Sequence, residues 1–396
     1  MEEVSDIKTE NTNTIFPPCN SKPSFGQKSS VVNSYFLDTF ISNIKEADLS
    51  VCENADSFLQ SSMWGEFKSR FDSTAKAFLI DWQKGETAET LPLLALCRRF
   101  AFVFGLGFSF AYIPWGSLPE FFTAEERTKA LAELAVKLKP FFSKDTAFIR
   151  FEPPWHYKDG DESFKNESVM LTSAGFIKAA ATVQPPDTVI VNLGVSCEEI
   201  LASMKSKWRY NVSLAEKKGV KVNTCGVQDI EVFYNLLKET AARDGIAIHG
   251  INYYRTLFEV CEKQNKKNQF IRLYTAEHEG DIIAAIVVLF RRKEATYLYG
   301  ASSNNKRNLM APYALQWKAM RDAKEAGCIN YDLFGIPPNE DPNHPMAGLY
   351  RFKTGFGGQI IHRTGSWDYR YKKLTYSLFN KAEALRKKLR DIKKKR

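Results

Sequence analysis

Nowhere in its 396 residues does the chain hold an uncharged apolar run of the roughly 20 residues that a bilayer span requires. The nearest approach, Phe100 to Ile113, follows Arg98-Arg99 and alternates its aromatics as Phe100, Phe102, Phe104, then Phe108, Phe110, Tyr112. That is strand periodicity broken at Gly105 and Gly107, and it predicts two buried strands or one bent one. No basic stretch leading into an apolar one opens the sequence, so a secretory signal is not expected. The seven cysteines (19, 52, 97, 197, 225, 261, 328) stand far apart without a Cys-x-x-Cys pair. Neither a disulfide nor a metal framework is expected, and a reducing cytoplasm fits. The body of the chain also lacks net charge. Residues 371–396 carry eleven Lys/Arg against two acids, which is the whole of the net +9.

With 44% apolar and 13% aromatic residues the chain can fill sizeable cores, and its length suits two domains of about 150 to 190 residues. Residues 1–30 are polar, with Pro17-Pro18, and read as disordered. Phe58, Met63, Trp64 and Phe67 recur near helical spacing, with Trp64 and Lys68 one turn apart on a common face. Strands are expected at Ala77–Trp82, Leu91–Cys97 and Ala147–Phe151, and a helix over Thr123–Leu138 with Thr123 as its cap. Gln184-Pro-Pro186 marks a domain boundary ahead of a strand at Thr188–Leu193. Ser196 and Glu199 form a capping box before one basic helix, Ile200–Lys218, that ends at Gly219. A helix over Asp229–Arg243 and a meander over Phe270–Glu277, Ile282–Arg291 and Ala295–Gly300 follow. The strand, helix, strand and meander pattern thus occurs twice. In the basic tail, Leu374, Leu378, Leu385, Leu389 and Ile392 make an apolar helical stripe, expected to pack on the first domain.

The stretch that organises the chain is Gly348-Leu-Tyr-Arg-Phe-Lys-Thr-Gly-Phe-Gly-Gly358. Tyr350–Lys353 reads as strand-like, and glycines crowd the turn behind it, where the backbone must take positive φ or approach a neighbour closely. Such a turn either holds Lys353 at a fixed point of a cleft or is a hairpin with a solvated lysine.

Taken in order, Lys205-Ser-Lys-Trp-Arg-Tyr-Asn-Val212, Ala215-Glu-Lys-Lys-Gly-Val220, Met310-Ala-Pro-Tyr-Ala-Leu-Gln-Trp317, Ala323-Lys-Glu-Ala-Gly327, Tyr331-Asp-Leu-Phe-Gly-Ile-Pro337 and the glycine-rich stretch resemble the FemABX family. These are aminoacyl-tRNA-dependent transferases that build peptidoglycan cross-bridges, and the likeness is to FemX-like members without a long helical arm. The resemblance implies an α/β fold of two tandem GNAT-like (acyl-CoA N-acyltransferase-like) domains with mixed sheets, closed by a basic C-terminal helix. On this expectation residues 31–187 form the first domain, completed by 365–396, and 188–364 the second.

The resemblance also implies roles. Lys68, in Trp-x-x-x-Lys, and Arg243 bind phosphates of the acceptor, Tyr254 and Tyr299 line its cleft, and Glu152 stands on the acceptor-amine side. Lys353, with Phe352 beside it, stabilises the oxyanion of the transfer. Lys205, Lys207 and Arg209 on the basic helix contact tRNA. The donor is aminoacyl-tRNA and the acceptor is UDP-MurNAc-pentapeptide or lipid II, with no cofactor. The chain would be cytoplasmic, with peripheral contact to the inner membrane face through its basic helix. Departures are Trp115 and Ser117, where the family has arginine and proline, and Ile246 and Ala247, where aromatics are commoner. An acyl-CoA N-acyltransferase of this fold is one rival, disfavoured because Lys306–Pro312 has no glycine to wrap a pyrophosphate in N–H groups. A non-catalytic RNA- or membrane-binding protein is the other.

Overall fold

The strand signals resolve into two mixed sheets. The computed structural model describes residues 39–101, 107–116, 118–161, 163–264 and 269–394, so the expectations for residues 1–30, Phe102, Phe104, Gly105 and Ser117 lie outside the described residues. The first half runs β1 (Ile41–Ala47), α1 (Ser62–Ser69), β2 (Ser73–Lys84), β3 (Thr87–Ala101), β4 (Gly107–Pro114), α2 (Ala124–Leu138), β5 (Thr146–Glu152), β6 (His156–Lys158), α3 (Ser163–Ser173) and β7 (Ile177–Lys178). The second half runs β8 (Thr188–Asn192), α4 (Cys197–Ser203), α5 (Ser206–Lys217), β9 (Lys221–Cys225), α6 (Ile230–Asp244), α7 (Ile251–Lys263), β10 (Gln269–His278), β11 (Asp281–Arg291), β12 (Glu294–Ser302), α8 (Ala311–Glu325), β13 (Asn330–Asp332), α9 (Ala347–Thr354) and β14 (Gln359–Arg363). The chain closes with β15 (Trp367–Arg370) and α10 (Lys373–Lys394).

One sheet is ordered β1-β2-β3-β4-β5-β15-β7 and the other β6-β14-β8-β13-β12-β11-β10-β9. Each contains an antiparallel meander (β2-β3-β4, β10-β11-β12) whose last strand is joined through a helix to a parallel neighbour (β4-α2-β5, β12-α8-β13). This repeated unit is the α/β fold with two tandem GNAT-like halves. The exchange runs both ways, because β6 pairs with β14 of the second sheet while β15 inserts beside β5 of the first.

Two central strands are buried along nearly all their length, one of them with charged residues inside it. Ile283–Arg291 of β11 and all of β5 are buried, as expected where both faces of a sheet are covered. Both capping boxes form, Thr123 with Glu126 on α2 and Ser196 with Glu199 on α4, each worth about 1 kcal/mol.

Three expectations are corrected. Tyr350–Lys353 is helix, not strand: it is the body of α9, with the glycines at its C-terminal end. The basic helix Ile200–Lys218 is two helices, broken at Met204–Lys205, where extended backbone (ψ 151° at Met204) stops α4 and starts α5. The described leucines of the α10 stripe do not pack on the first sheet; the Leu389 and Ile392 side chains lie outside the described residues. Leu374, Leu378 and Leu385 are 83%, 59% and 58% exposed, and the helix is held instead through Tyr376 and Phe379, which close over Phe148.

Candidate active site

Lys353 sits in the last turn of α9 with its side chain turned inward, where only 6% of the residue is exposed. Its ammonium donates to the Phe334 carbonyl at 3.0 Å and the Gly335 carbonyl at 2.9 Å, and lies 5.2 Å over the Tyr297 ring. An ammonium has three donors. Two are fixed on backbone, and among the described residues the third meets no acceptor. Burial pulls the lysine down to about 7, and the nearby Asp332 carboxylate offsets only part of that.

The glycines that follow set the distance between α9 and the α4–α5 break. A Cβ on Gly355 would lie 2.1 Å from the Trp208 ring, and one on Gly357 (φ 81°) 2.3 Å from the Ser203 carbonyl oxygen. That close approach lets the Lys205 amide donate to the Gly355 carbonyl at 2.9 Å and the Trp208 indole N–H to the Phe352 carbonyl at 2.8 Å. The structure therefore brings Lys353 and Phe352 next to the start of the basic helix. Lys205, Lys207 and Tyr210 are exposed there, whereas the Arg209 guanidinium caps the end of α4 through the Ala202 and Met204 carbonyls.

A second group gathers on the other face of β12. The register shift between Val287 and Val288 puts Tyr297 into the core beneath Lys353 and Tyr299 into the core shared with the first half, as bulges re-aim side chains. Tyr299 bonds to Tyr253 and meets Tyr254 edge-on at 5.1 Å. Lys68 lies 5.3 Å over the Tyr253 ring, which also stacks in parallel with His249 at 3.9 Å. Burial, with the Arg98 guanidinium adding to it, pulls Lys68 down to about 8, and among the described residues no carboxylate pairs with it. Arg243 reaches the end of β12, donating to the Ser302 carbonyl at 2.9 Å and to Asn304 at 3.1 Å while pairing with Asp244.

The two groups are connected by rings. Phe334, whose carbonyl holds Lys353, is 6.3 Å from Phe58 and 6.2 Å from Trp115, and Phe58 packs edge-on against Trp64 of α1 at 5.2 Å. The arrangement offers the half-buried Lys68, with which no carboxylate pairs among the described residues, at one end, an aromatic wall between the halves, and a desolvated ammonium with a free donor beyond it.

The chain matches the model of the FemAB family over residues 50–266 and 259–384. It belongs to the FemAB family. A lipid II:glycine glycyltransferase of Staphylococcus epidermidis is 24% identical over 324 residues, 66% of this chain and 78% of that protein. One of Staphylococcus aureus is 23% identical over 412 aligned positions, covering 87% and 93%. The crystal structure of FemX superposes with a TM-score of 0.70 at 18% identity, over 85% of this chain and 100% of that one, a likeness of fold.

Against that FemAB background Glu152 is a correction. It is 2% exposed, and its oxygens accept from the Tyr112 and Ser366 hydroxyls and from the amides of Val183 (2.7 Å) and Gln184 (3.1 Å). It fastens the linker between the halves and has no capacity left for an acceptor amine. Sequence reasoning missed Arg98 and His249 beside Lys68, and Glu294 and Arg363 near Asp332. None of them sits in a motif; Arg98 stood out only as the basic flank of an apolar run.

Proposed function

We propose that this FemAB protein transfers an aminoacyl group from aminoacyl-tRNA to an amine of the peptidoglycan stem peptide, carried on lipid II or on UDP-MurNAc-pentapeptide. The observation that carries this reading is the Lys353 ammonium, buried, pinned on two sides and open on the third. Attack of an amine on an ester develops negative charge on the carbonyl oxygen, and a preorganised donor in a dry site is what that charge needs. The basic start of α5 beside Phe352 supports a polyanionic donor arriving there, with Tyr210, 64% exposed, available to stack on a base. Lys68 and Arg243 are the proposed phosphate anchors at the acceptor end. The names of the relatives bring lipid II forward as acceptor and glycine as the first amino acid to test.

Coenzyme A is the weaker donor. The turn before α8 reaches its helix through Lys306 and Met310, both at positive φ, and Lys306 is engaged by Asp281 at 2.8 Å and Glu279 at 3.3 Å. The test incubates purified protein with charged total tRNA and both muropeptide acceptors, with products identified by mass. Transfer should vanish on ribonuclease treatment, and an acceptor lacking phosphates should show a raised KM that Lys68→Met does not raise further. Acyl transfer from acetyl-CoA that survives ribonuclease would defeat the reading.

The same reading places the enzyme in the cytoplasm at the inner membrane face, where a lipid-linked acceptor lies. Among the described residues no helix is long and apolar enough to cross a membrane. The outward leucines of α10 among its lysines suit a helix lying in an anionic surface instead. Vesicles with 30% phosphatidylglycerol, about a third anionic lipid, should sediment the protein at low salt, and Leu374→Ser with Leu378→Ser should abolish this without changing turnover on a soluble acceptor. Equal sedimentation of the double variant would sink the membrane role.

A further inference from the structure

Between the halves lies a cavity of about 1370 Å³, walled by Trp115 and Pro154 from the first half and by Arg291, Glu294, Asn330 and Arg363 from the second. Two of its arginines, Arg291 buried and Arg363 half-buried, differ in kind. Arg291 is fully engaged: its guanidinium donates to the carbonyls of Ala55 (3.0 Å) and Glu53 (2.8 Å) and to Gln269, tying the halves together. Arg363 is not. Its guanidinium stacks on the Trp115 ring at 4.1 Å, its Nη1 is buried, and among the described residues nothing accepts a hydrogen bond from that nitrogen.

A half-buried guanidinium whose Nη1 is removed from water without an acceptor is an arrangement a ligand carboxylate completes, through two parallel N–H···O bonds. The neighbouring carboxylates do not fill the role. Asp187 bonds the His362 ring at 2.6 Å, and one oxygen of Asp332 takes the Thr188 hydroxyl and the Phe334 amide. Glu294 has a weak contact to the Thr296 hydroxyl at 3.4 Å, and burial, then the charge of Asp332, hold its carboxyl above the usual range. It and Asn330 provide polar groups on the same wall for a peptide N–H and carbonyl. Trp115, held at φ 47° with its ring between Arg363 and Phe334, makes the cavity continuous in structure with the loop that holds Lys353.

We propose that this cavity recognises the free C-terminal carboxylate of a short peptide, with Arg363 as its clamp and Trp115 as the surface that orients the guanidinium. Resting on the acceptor reading above, that peptide is the stem peptide, so the site fixes its far end while the amine is presented near Lys353. Recognition of this kind favours acceptors whose carboxylate has not been removed by amide formation.

The test is calorimetric binding to the full chain, without tRNA or turnover, using acetyl-Lys-Ala-Ala as free acid and as C-terminal amide, with each stereoisomer of the terminal alanines. The free acid should bind the unaltered protein roughly ten- to a hundredfold more tightly than the amide, as loss of a charged hydrogen-bonded pair implies. In Arg363→Gln that preference should disappear, with the amide's affinity unchanged. Should that variant not fold, the acid–amide comparison on the unaltered protein decides alone. Equal binding of acid and amide, no binding of any free acid at millimolar concentration, or a preference that survives Arg363→Gln would each overturn the assignment. Failure of transfer from tRNA with the preference intact would instead remove the acceptor reading and leave the carboxylate site standing.

Discussion

Lys353→Met is expected to lower kcat by roughly a hundredfold to a thousandfold, the usual result of deleting one oxyanion donor, with KM for tRNA and acceptor little changed. The structure adds what the sequence did not suggest, that the same ammonium holds the Phe334 and Gly335 carbonyls. Met leaves both without a donor, and an unsatisfied buried acceptor costs about 1–3 kcal/mol. The variant should therefore also melt earlier, and turnover must be read well below its transition. Lys353→Arg separates the two effects. Its fork still offers donors to both carbonyls, so it should regain much of the stability but little of the rate, because a planar guanidinium does not place its charge at the ammonium's point. Normal turnover by the Met variant would make α9 and its glycines scaffold only.

The pH dependence follows from the depressed lysine. Stabilising an oxyanion requires the protonated form, so the enzyme should lose kcat as pH rises through about 7, and this limb should be absent in Lys353→Met. Stability runs the other way. A lysine whose folded value, about 7, lies below its ordinary 10.5 penalises the fold fully at pH below 7, and the penalty shrinks as pH climbs toward 10.5. Rate falling while stability rises over the same interval is a signature that general unfolding would not produce. A flat kcat profile between pH 6 and 9, the span in which a group titrating near 7 must show itself, would contradict the assignment.

Much of the architecture was legible because it rests on local signals. The repeated unit, the Thr123 cap and the Ser196–Glu199 capping box come from periodicity and cap residues, and these act within a few residues. What stayed hidden depends on distant partners. Tyr350–Lys353 looked extended because an aromatic–basic run of four residues is too short to show a helical period, and its helix is fixed by packing on Trp208 and Tyr313. Glu152 read as a functional carboxylate because its partners, Tyr112, Val183, Gln184 and Ser366, lie 40, 31, 32 and 214 residues away. Arg363 gave no signal at all, since what marks it is a missing acceptor, and only the folded arrangement shows that. The leucines of α10 were legible as a stripe, but the direction the stripe faces was decided by Tyr376 and Phe379 on the opposite side.

Asp368→Asn is the substitution expected to damage the fold most. Asp368 is wholly buried and receives Arg150 in a two-pronged pair, Nε to Oδ1 at 2.7 Å and Nη2 to Oδ2 at 2.8 Å, with the Tyr376 hydroxyl adding a bond to Oδ2 at 3.0 Å. One carboxylate thus joins β5, β15 and α10, and it is how the last segment of the chain completes the first sheet. Removing one member of a buried pair leaves the other charged and unpaired, which costs about 3–5 kcal/mol. The denaturation midpoint should fall accordingly, and the C-terminal segment should become the first site of proteolysis. Replacing both partners, as Arg150→Met with Asp368→Leu, should return most of the stability, because an apolar pair of similar volume has no desolvation penalty to offset. If Asp368→Asn lay within about 1 kcal/mol of the unaltered protein, the pair would behave like an exposed one, and residues 365–396 would not be integral to the first half. Since Lys353 belongs to the other sheet's core, the Asn variant should keep its kcat at temperatures where it remains folded, and a matching loss of rate there would show that the two halves do not act as separable units.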